Sequence, residues 1–414
     1  MNLKSGDNMR IGIGTDFHLG LRQYGLMERE EDFYNQYNIM VDFFISQKVD
    51  VVIMGGDIFD QARPSPKAMD VFTKGLQKLA NNNIQILNVI GNHAMIQANG
   101  FVTADEYIFS NNNQSLLDFN NSVVFDDFTV YGLPYHFNYD LDNFIQKVNT
   151  LNSFAANDRA SILVLHQSFK EFCGFTGEPL SINDIDVSNF DLIVCGHIHE
   201  RKLLELDSGA VFLQPGSLER SSVAEARDEE SNGKGVYIID TDFMDLMSIA
   251  NGFRKIPCQR PFLIADMYIA EKSEVEDMKQ EILEKTSQYD VPPVLFLTVH
   301  DTSNSFDRIT ELTKDFKSDF LTVRLSYFDE SMGQDELMLD SHDIPTVRGI
   351  LKLALNPLNE EQAQLGLDIY DNLKEGKDIS ALLEDFYQKN YQNEFVDNSL
   401  PQDNFDSFEE WLNQ

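Results

Sequence analysis

At 414 residues with 42% hydrophobic content, the chain is long enough for two or three domains, each with a full core. Acidic side chains (68) outnumber basic ones (32), and a net charge of −36 argues against a protein that grips nucleic acid alone through a basic surface. No run approaches a membrane span, Met1–Asn8 is polar with no apolar signal region, and Cys173, Cys195 and Cys258 fall outside any C-x-x-C spacing, so the cysteines read as reduced packing residues of a cytoplasmic protein.

In chain order, Met9–Thr15, Val49–Gly55 and Ile84–Ile90 read as strands, with helices over Asn35–Gln47 and Ala68–Ala80 between them. Val123–Phe125 and Thr129–Tyr131 read as a hairpin around Asp126-Asp127, and Ile162–Leu165 and Leu192–Cys195 as two more short strands. Ser221–Gly235 is charged and glycine-bearing and reads as an exposed loop. The alternation, which lasts to about Asp242, predicts an α/β fold, a layered sheet faced by helices.

Around Pro257 the pattern restarts. Strands over Phe262–Ile269, Val294–Val299 and Phe320–Tyr327, with helices over Ser273–Tyr289 and Ser305–Phe316, predict a small second domain at 257–330. Residues 331–414 hold 18 acidic and five basic side chains. Within 331–391, Asn359 and Gln362 form a capping-box pattern that opens a helix over Glu360–Leu373, Gly376 breaks it, and Asp378 can cap Ile379–Lys389. In that second helix Ile379, Leu382, Leu383, Phe386 and Tyr387 share one face, which either packs back on the domains or receives a partner. The acidic tail, 392–414, carries a last apolar face of Phe405, Phe408, Trp411 and Leu412, a docking peptide or a helix that folds back.

The chemistry is concentrated at strand ends. Five of the eight histidines lie in Asp16-Phe17-His18, Gly91-Asn92-His93, His166 and Gly196-His197-Ile198-His199, and Gly56-Asp57 closes another apolar run. Any one of these fragments is a common turn or a lone histidine, but together they all sit where open α/β sheets place ligands. Breaking a phosphodiester needs an activated water, charge stabilisation and help for the leaving oxygen, which two bridged divalent ions can supply. Asp16 and His18, two apart at a strand end, can point to one side, and Asp57 has the two oxygens a bridge needs. Asn92 adds an amide oxygen, and His166, His197 and His199 add imidazoles. This mixed set suits Mn, Fe or Zn better than Mg or Ca. His93, beside a ligand without having to be one, is positioned to protonate a leaving oxygen.

The order D-x-H, G-D, G-N-H, H, G-H-x-H resembles the SbcD/MRE-eleven family of double-strand-break repair nucleases, within the calcineurin-like metallophosphoesterases. The likeness runs through Arg22-Gln23, Ile58-Phe59-Asp60, Pro64-Ser65 and Gln214-Pro215-Gly216-Ser217 with Glu219-Arg220. It covers the first 250 residues well and the rest more loosely.

The resemblance implies a metallophosphoesterase β-sandwich (1–250), an α+β capping domain (257–330) and a C-terminal helical region that binds an SMC-like ATPase of the SbcC/RAD-fifty type. It implies two Mn ions, one on Asp16, His18 and His199, the other on Asn92, His166 and His197, with Asp57 bridging and His93 assisting the leaving group. The implied activity is exonuclease on double-stranded DNA ends and endonuclease on single strands, by a homodimer within a heterotetramer that does not involve a membrane. Ala94 replaces the aspartate of the family's G-N-H-D, so His93 lacks its usual orienting carboxylate unless the fold brings another. Two other functions stay open: a small-molecule phosphodiesterase, which needs no capping unit, and a non-catalytic assembly subunit, which Ala94 favours and the full ligand set opposes.

Overall fold

The structure is a computed structural model that describes residues 9–329 except 96–101, 113, 156–158, 174–177, 243, 270–271, 287–288 and 302–318. The expected helix over Ser305–Phe316, the helical pair bearing Ile379, Leu382, Leu383, Phe386 and Tyr387, and the Phe405–Leu412 segment lie outside the described residues.

Two six-stranded sheets form the body. The first takes β1 (Arg10–Gly14), β2 (Val51–Met54), β3 (Gln85–Asn88) and β4 (Ser115–Leu116) in parallel, and β11 (Gly235–Asp240) and β12 (Phe253–Lys255) extend it antiparallel beyond β1. The second runs β5 (Val123–Val124), β6 (Phe128–Leu133), β7 (Ala160–His166), β8 (Leu192–Gly196), β10 (Val211–Gln214) and β9 (Lys202–Glu205). In it β6, β7, β8 and β10 are parallel, with antiparallel β5 and β9 at the edges, and the expected hairpin is the β5–β6 pair.

Side-chain alternation sorts these strands into layers. Val51, Ile53, Leu87, Tyr237 and Ile239 share one core with Val130, Ile162, Val164, Leu192 and Val194, so the sheets pack face to face. The opposite residues of the first sheet, Val52, Met54, Ile86 and Ile238, pack with Tyr37, Met40 and Phe44 of α1 (Met27–Ser46) and Phe72 and Leu76 of α2 (Pro66–Asn81). Those of the second, Tyr131, Leu163, Leu165 and Ile193, pack with Phe144, Val148 and Leu151 of α4 (Leu141–Phe154). On the same face as α1 and α2, α3 (Ala104–Asn111) follows β3, packs through Ile108 and Phe109, and is opened by a capping box in which Thr103 and Glu106 bond each other's backbone.

Where a loop was expected at Ser221–Gly235, the chain forms α5 (Val223–Ser231), and Glu225, Ala226 and Lys234 are buried. The apolar pattern missed it because this helix is anchored by polar contacts. After α6 (Leu246–Asn251), the later residues give β13 (Phe262–Ile269), α7 (Lys272–Thr286), β14 (Val294–Asp301) and β15 (Thr322–Asp329), a three-stranded sheet in that order. The chain divides into two compact units, the first made of Met1–Met267, Glu271–Leu297 and Ser305–Leu325. Both six-stranded sheets belong to it, and in the second unit Tyr268 stacks on His300 at 4.3 Å. Among the described residues no helix is long and apolar enough to cross a membrane.

Candidate metal centre

The candidate residues leave the C-terminal ends of five parallel strands. Asp16 and His18 follow β1, Asp57 follows β2, Asn92 and His93 follow β3, His166 ends β7, and His197 and His199 follow β8. Strand alternation was the expected reason for Asp16 and His18 to share a side. Instead β1 stops at Gly14, and both residues are left-handed, with φ of 54° and 45°. Asp57 (φ 46°) and His197 (φ 94°) are left-handed too, a conformation that costs a non-glycine residue about 1–3 kcal/mol and is tolerated where the surroundings demand it.

All seven predicted ligand side chains converge. Ligand atoms of Asp16, His18 and His199 lie within 4.8 Å of one another, as do those of Asp57, His166 and His197. Asn92 Oδ1 is 3.0 Å from His166 Nε2 and 2.8 Å from His197 Nδ1, which adds it to the second group. Asp57 Oδ2 lies 3.2 Å from His166 Nε2 and 4.0 Å from His18 Nε2, between the groups. Close approach explains the preceding glycines: a Cβ on Gly91 would overlap the Asp57 carboxylate, and one on Gly56 (φ +97°) the His166 ring.

Hydrogen bonds fix which nitrogen each ring offers. His166 Nδ1 donates to the Gly55 carbonyl at 2.7 Å and His199 Nδ1 to Glu225 Oε1 at 3.0 Å, so both present Nε2 to the cluster. His197 presents Nδ1. His18 Nε2 and His199 Nε2 are 2.9 Å apart, and His18 Nδ1 is buried without a hydrogen-bond partner. Two carboxylates, an amide oxygen and four imidazoles, converging and mostly buried, fit divalent transition ions.

Opposite charges face one another at close range here. Burial opposes ionisation of Asp57, but facing His166, His18 and His93 outweighs it and holds the carboxyl well below its usual range. Burial likewise pushes His166 down, and the Asp57 carboxylate reverses this, raising the imidazole to about 9. His197, with burial and neighbouring His166 acting together, is lowered to about 3 and stays neutral, as a ligand must. Because the folded His166 value lies above its unfolded one, its contribution to metal-free stability is full below about pH 6.5 and is lost as pH rises through about 9. Thermal melts of the metal-free protein should therefore show a decline across this window that His166→Gln removes, and metal binding at pH 7 should release protons, measurable from the buffer dependence of the binding heat.

Two carboxylates at the site were not singled out from the sequence. Glu225, on α5, bonds His199 through Oε1 while Oε2 accepts from Lys234 Nζ and Ser217 Oγ, each at 2.7 Å. Its burial would raise the carboxyl, but Lys234 and His199 hold it well below the usual range, and in turn Glu225 overcomes burial to raise His199. The Ser222-x-x-Glu225 spacing, in which Ser222 Oγ caps the Glu225 amide, is the sequence signal that could have found α5. Glu225→Gln should weaken metal binding about 10- to 100-fold, read by Mn titration calorimetry, with wild-type affinity as the contrary result.

The second carboxylate is Asp60. His93 is half-buried, and its Nδ1 donates to the Asp60 backbone oxygen at 2.5 Å, with Asp60 Oδ1 at 3.8 Å from His93 Nδ1 and 3.7 Å from His18 Nδ1. The ring is thus held by a backbone oxygen of the loop after β2, with the Asp60 carboxylate nearby but beyond hydrogen-bond distance. Ala94→Asp, at a buried position, should leave turnover unimproved. Of the cysteines, Cys195 is buried in β8 with its Sγ donating to the Gln167 carbonyl at 3.1 Å, a packing residue as expected.

Comparison with known proteins agrees with this geometry. Residues 9–201 match the calcineurin-like phosphoesterase family. The chain is similar to the DNA double-strand break repair protein Mre11 of Methanococcus maripaludis, 31% identical over 386 residues that cover 91% of this chain and 98% of the relative. It is also similar to the Mre11 proteins of Saccharolobus solfataricus (26%; 89% and 96% of the two chains) and Methanocaldococcus jannaschii (28%; 87% and 98%). Likeness of this degree along nearly the whole chain, with five strand ends meeting in one ligand cluster, places the chain in the Mre11 family, as a metal-dependent phosphodiesterase with a calcineurin-like phosphoesterase domain.

Proposed function

We propose that the chain is a two-metal DNA nuclease, exonucleolytic on double-stranded ends and endonucleolytic on single strands, that works in break repair with an SMC-like ATPase. The observation that carries this reading is the position of Asp57 Oδ2 between two complete ligand groups. Asp16, His18 and His199 would hold one ion and Asn92, His166 and His197 the other, with Asp57 shared. Bound there, two Mn ions would supply an activated water and offset charge on the phosphoryl oxygens. His93, with Nδ1 donating to the Asp60 backbone oxygen, directs Nε2 toward Asp57 Oδ2 at 3.9 Å, and as the imidazolium it would give its Nε2 proton to the leaving oxygen and remain as the neutral ring.

Residues 257–330 would cap the cleft, and the face of Ile379, Leu382, Leu383, Phe386 and Tyr387 would meet the ATPase, within a dimer of nuclease–ATPase pairs. The net charge of −36 supports a partner that contributes the grip on DNA. The test is Mn-loaded full-length protein on end-labelled duplex and single-stranded DNA, with and without the ATPase. Mn-dependent cleavage of both, stimulated on duplex by the ATPase, is expected. Hydrolysis of small phosphodiesters with no DNA cleavage under any condition would overturn the reading.

A further inference from the structure

Beside the metal centre, the segment after β6 lines up aromatic rings that no ligand group uses. Tyr135 is tied down by its amide, which donates to the Ile90 carbonyl at 3.0 Å, two residues before Asn92. Its ring centroid lies 5.5 Å from that of His197. Phe137 meets Tyr135 edge-on, 5.3 Å and 86°, and Tyr139 lies parallel to Phe137, 5.4 Å and 7°. Tyr139 is 79% exposed. The three rings thus step from a candidate ligand out to solvent along a cavity of about 390 Å³ that Asp118, His136, Asp140 and Lys147 also line.

Tyr139 stands outward, and alternate residues 135, 137 and 139 bring three rings into one file that ends at the candidate ligands. The parallel Phe137–Tyr139 pair, with Tyr139 outermost, offers the kind of aromatic face on which unpaired bases stack whatever their sequence. Charge favours the base over the phosphate: Asp118 and Asp140 line the cavity, and Lys147 Nζ is engaged with His136 Nε2 at 3.2 Å. We propose that Tyr139, Phe137 and Tyr135 form a stacking platform that holds an unpaired base of the strand whose phosphate enters the metal centre. The inference rests on the nuclease reading and adds to it a binding site for single-stranded nucleic acid.

The test uses the Mn-loaded full chain with a single-stranded phosphorothioate oligonucleotide, which resists cleavage, carrying 2-aminopurine. Wild type should quench the probe, Tyr139→Ala should abolish quenching and weaken binding roughly tenfold, and Tyr139→Trp should restore both. An oligonucleotide made abasic throughout should bind wild type and Tyr139→Ala equally. Mn binding, read by titration calorimetry, needs the metal centre but no base and should be unchanged in Tyr139→Ala. Quenching and affinity that survive Tyr139→Ala, or an equal loss of affinity for blunt duplex, would overturn the platform. Wild type that hydrolyses bis(p-nitrophenyl) phosphate but never DNA would overturn the nuclease reading instead.

Discussion

Asp57→Asn should abolish Mn-dependent cleavage, by at least the hundredfold that even residues behind a ligand can cost, and should reduce the Mn stoichiometry. The carboxylate is 2% exposed, so its charge acts in a medium where it is poorly screened. Asparagine keeps one oxygen to accept the His93 amide, which Asp57 Oδ1 now does at 3.0 Å, so the local fold has little reason to change. What it loses is the second oxygen, the one facing both His166 and His18, and with it the negative charge. An amide cannot bridge two cations with two anionic oxygens. Circular dichroism should be unaltered, while metal analysis should find fewer than two ions per chain. Full activity with two ions bound would remove Asp57 from the bridging role.

His93→Ala should lower turnover about 10²- to 10⁴-fold, the range of general acid–base catalysis, with both metals retained. His93 belongs to neither of the two ligand groups; its ring groups instead with His18 and Asp60, and its Nδ1 is held by the Asp60 backbone oxygen. Truncation removes a half-buried ring at the rim, so melting temperature should barely move. The same substitution should leave KM for short DNA near its wild-type value if the ring acts only at the transition state. Loss of a metal ion in this variant would make His93 a ligand.

The sheets and the ligand cluster were legible because parallel strands buried on both faces write continuous apolar runs, and ligands must follow them. Val51–Met54 and Ile162–Leu165 are fully buried, and the first candidate ligands after them are Asp57, three residues on, and His166, the next residue. What holds the candidate ligands in place was harder to read. Glu225 sits in a helix, VAEARDEES, with little apolar signal, because its packing is a set of hydrogen bonds to Ser217, Lys234 and His199. The left-handed turn at Asp16 and His18 was also hidden, since neither residue is glycine and tertiary contacts impose the conformation. Orientation of His93 by Asp60 needed the fold, because 33 residues separate them.

Those same contacts make the central claim open to direct measurement. Anomalous scattering from crystals grown with Mn should show two peaks per chain roughly 3.5–4 Å apart, with Asp57 between them. One peak should be bounded by Asp16, His18 and His199 and the other by Asn92, His166 and His197. A single peak, or two peaks not shared by Asp57, would contradict the account.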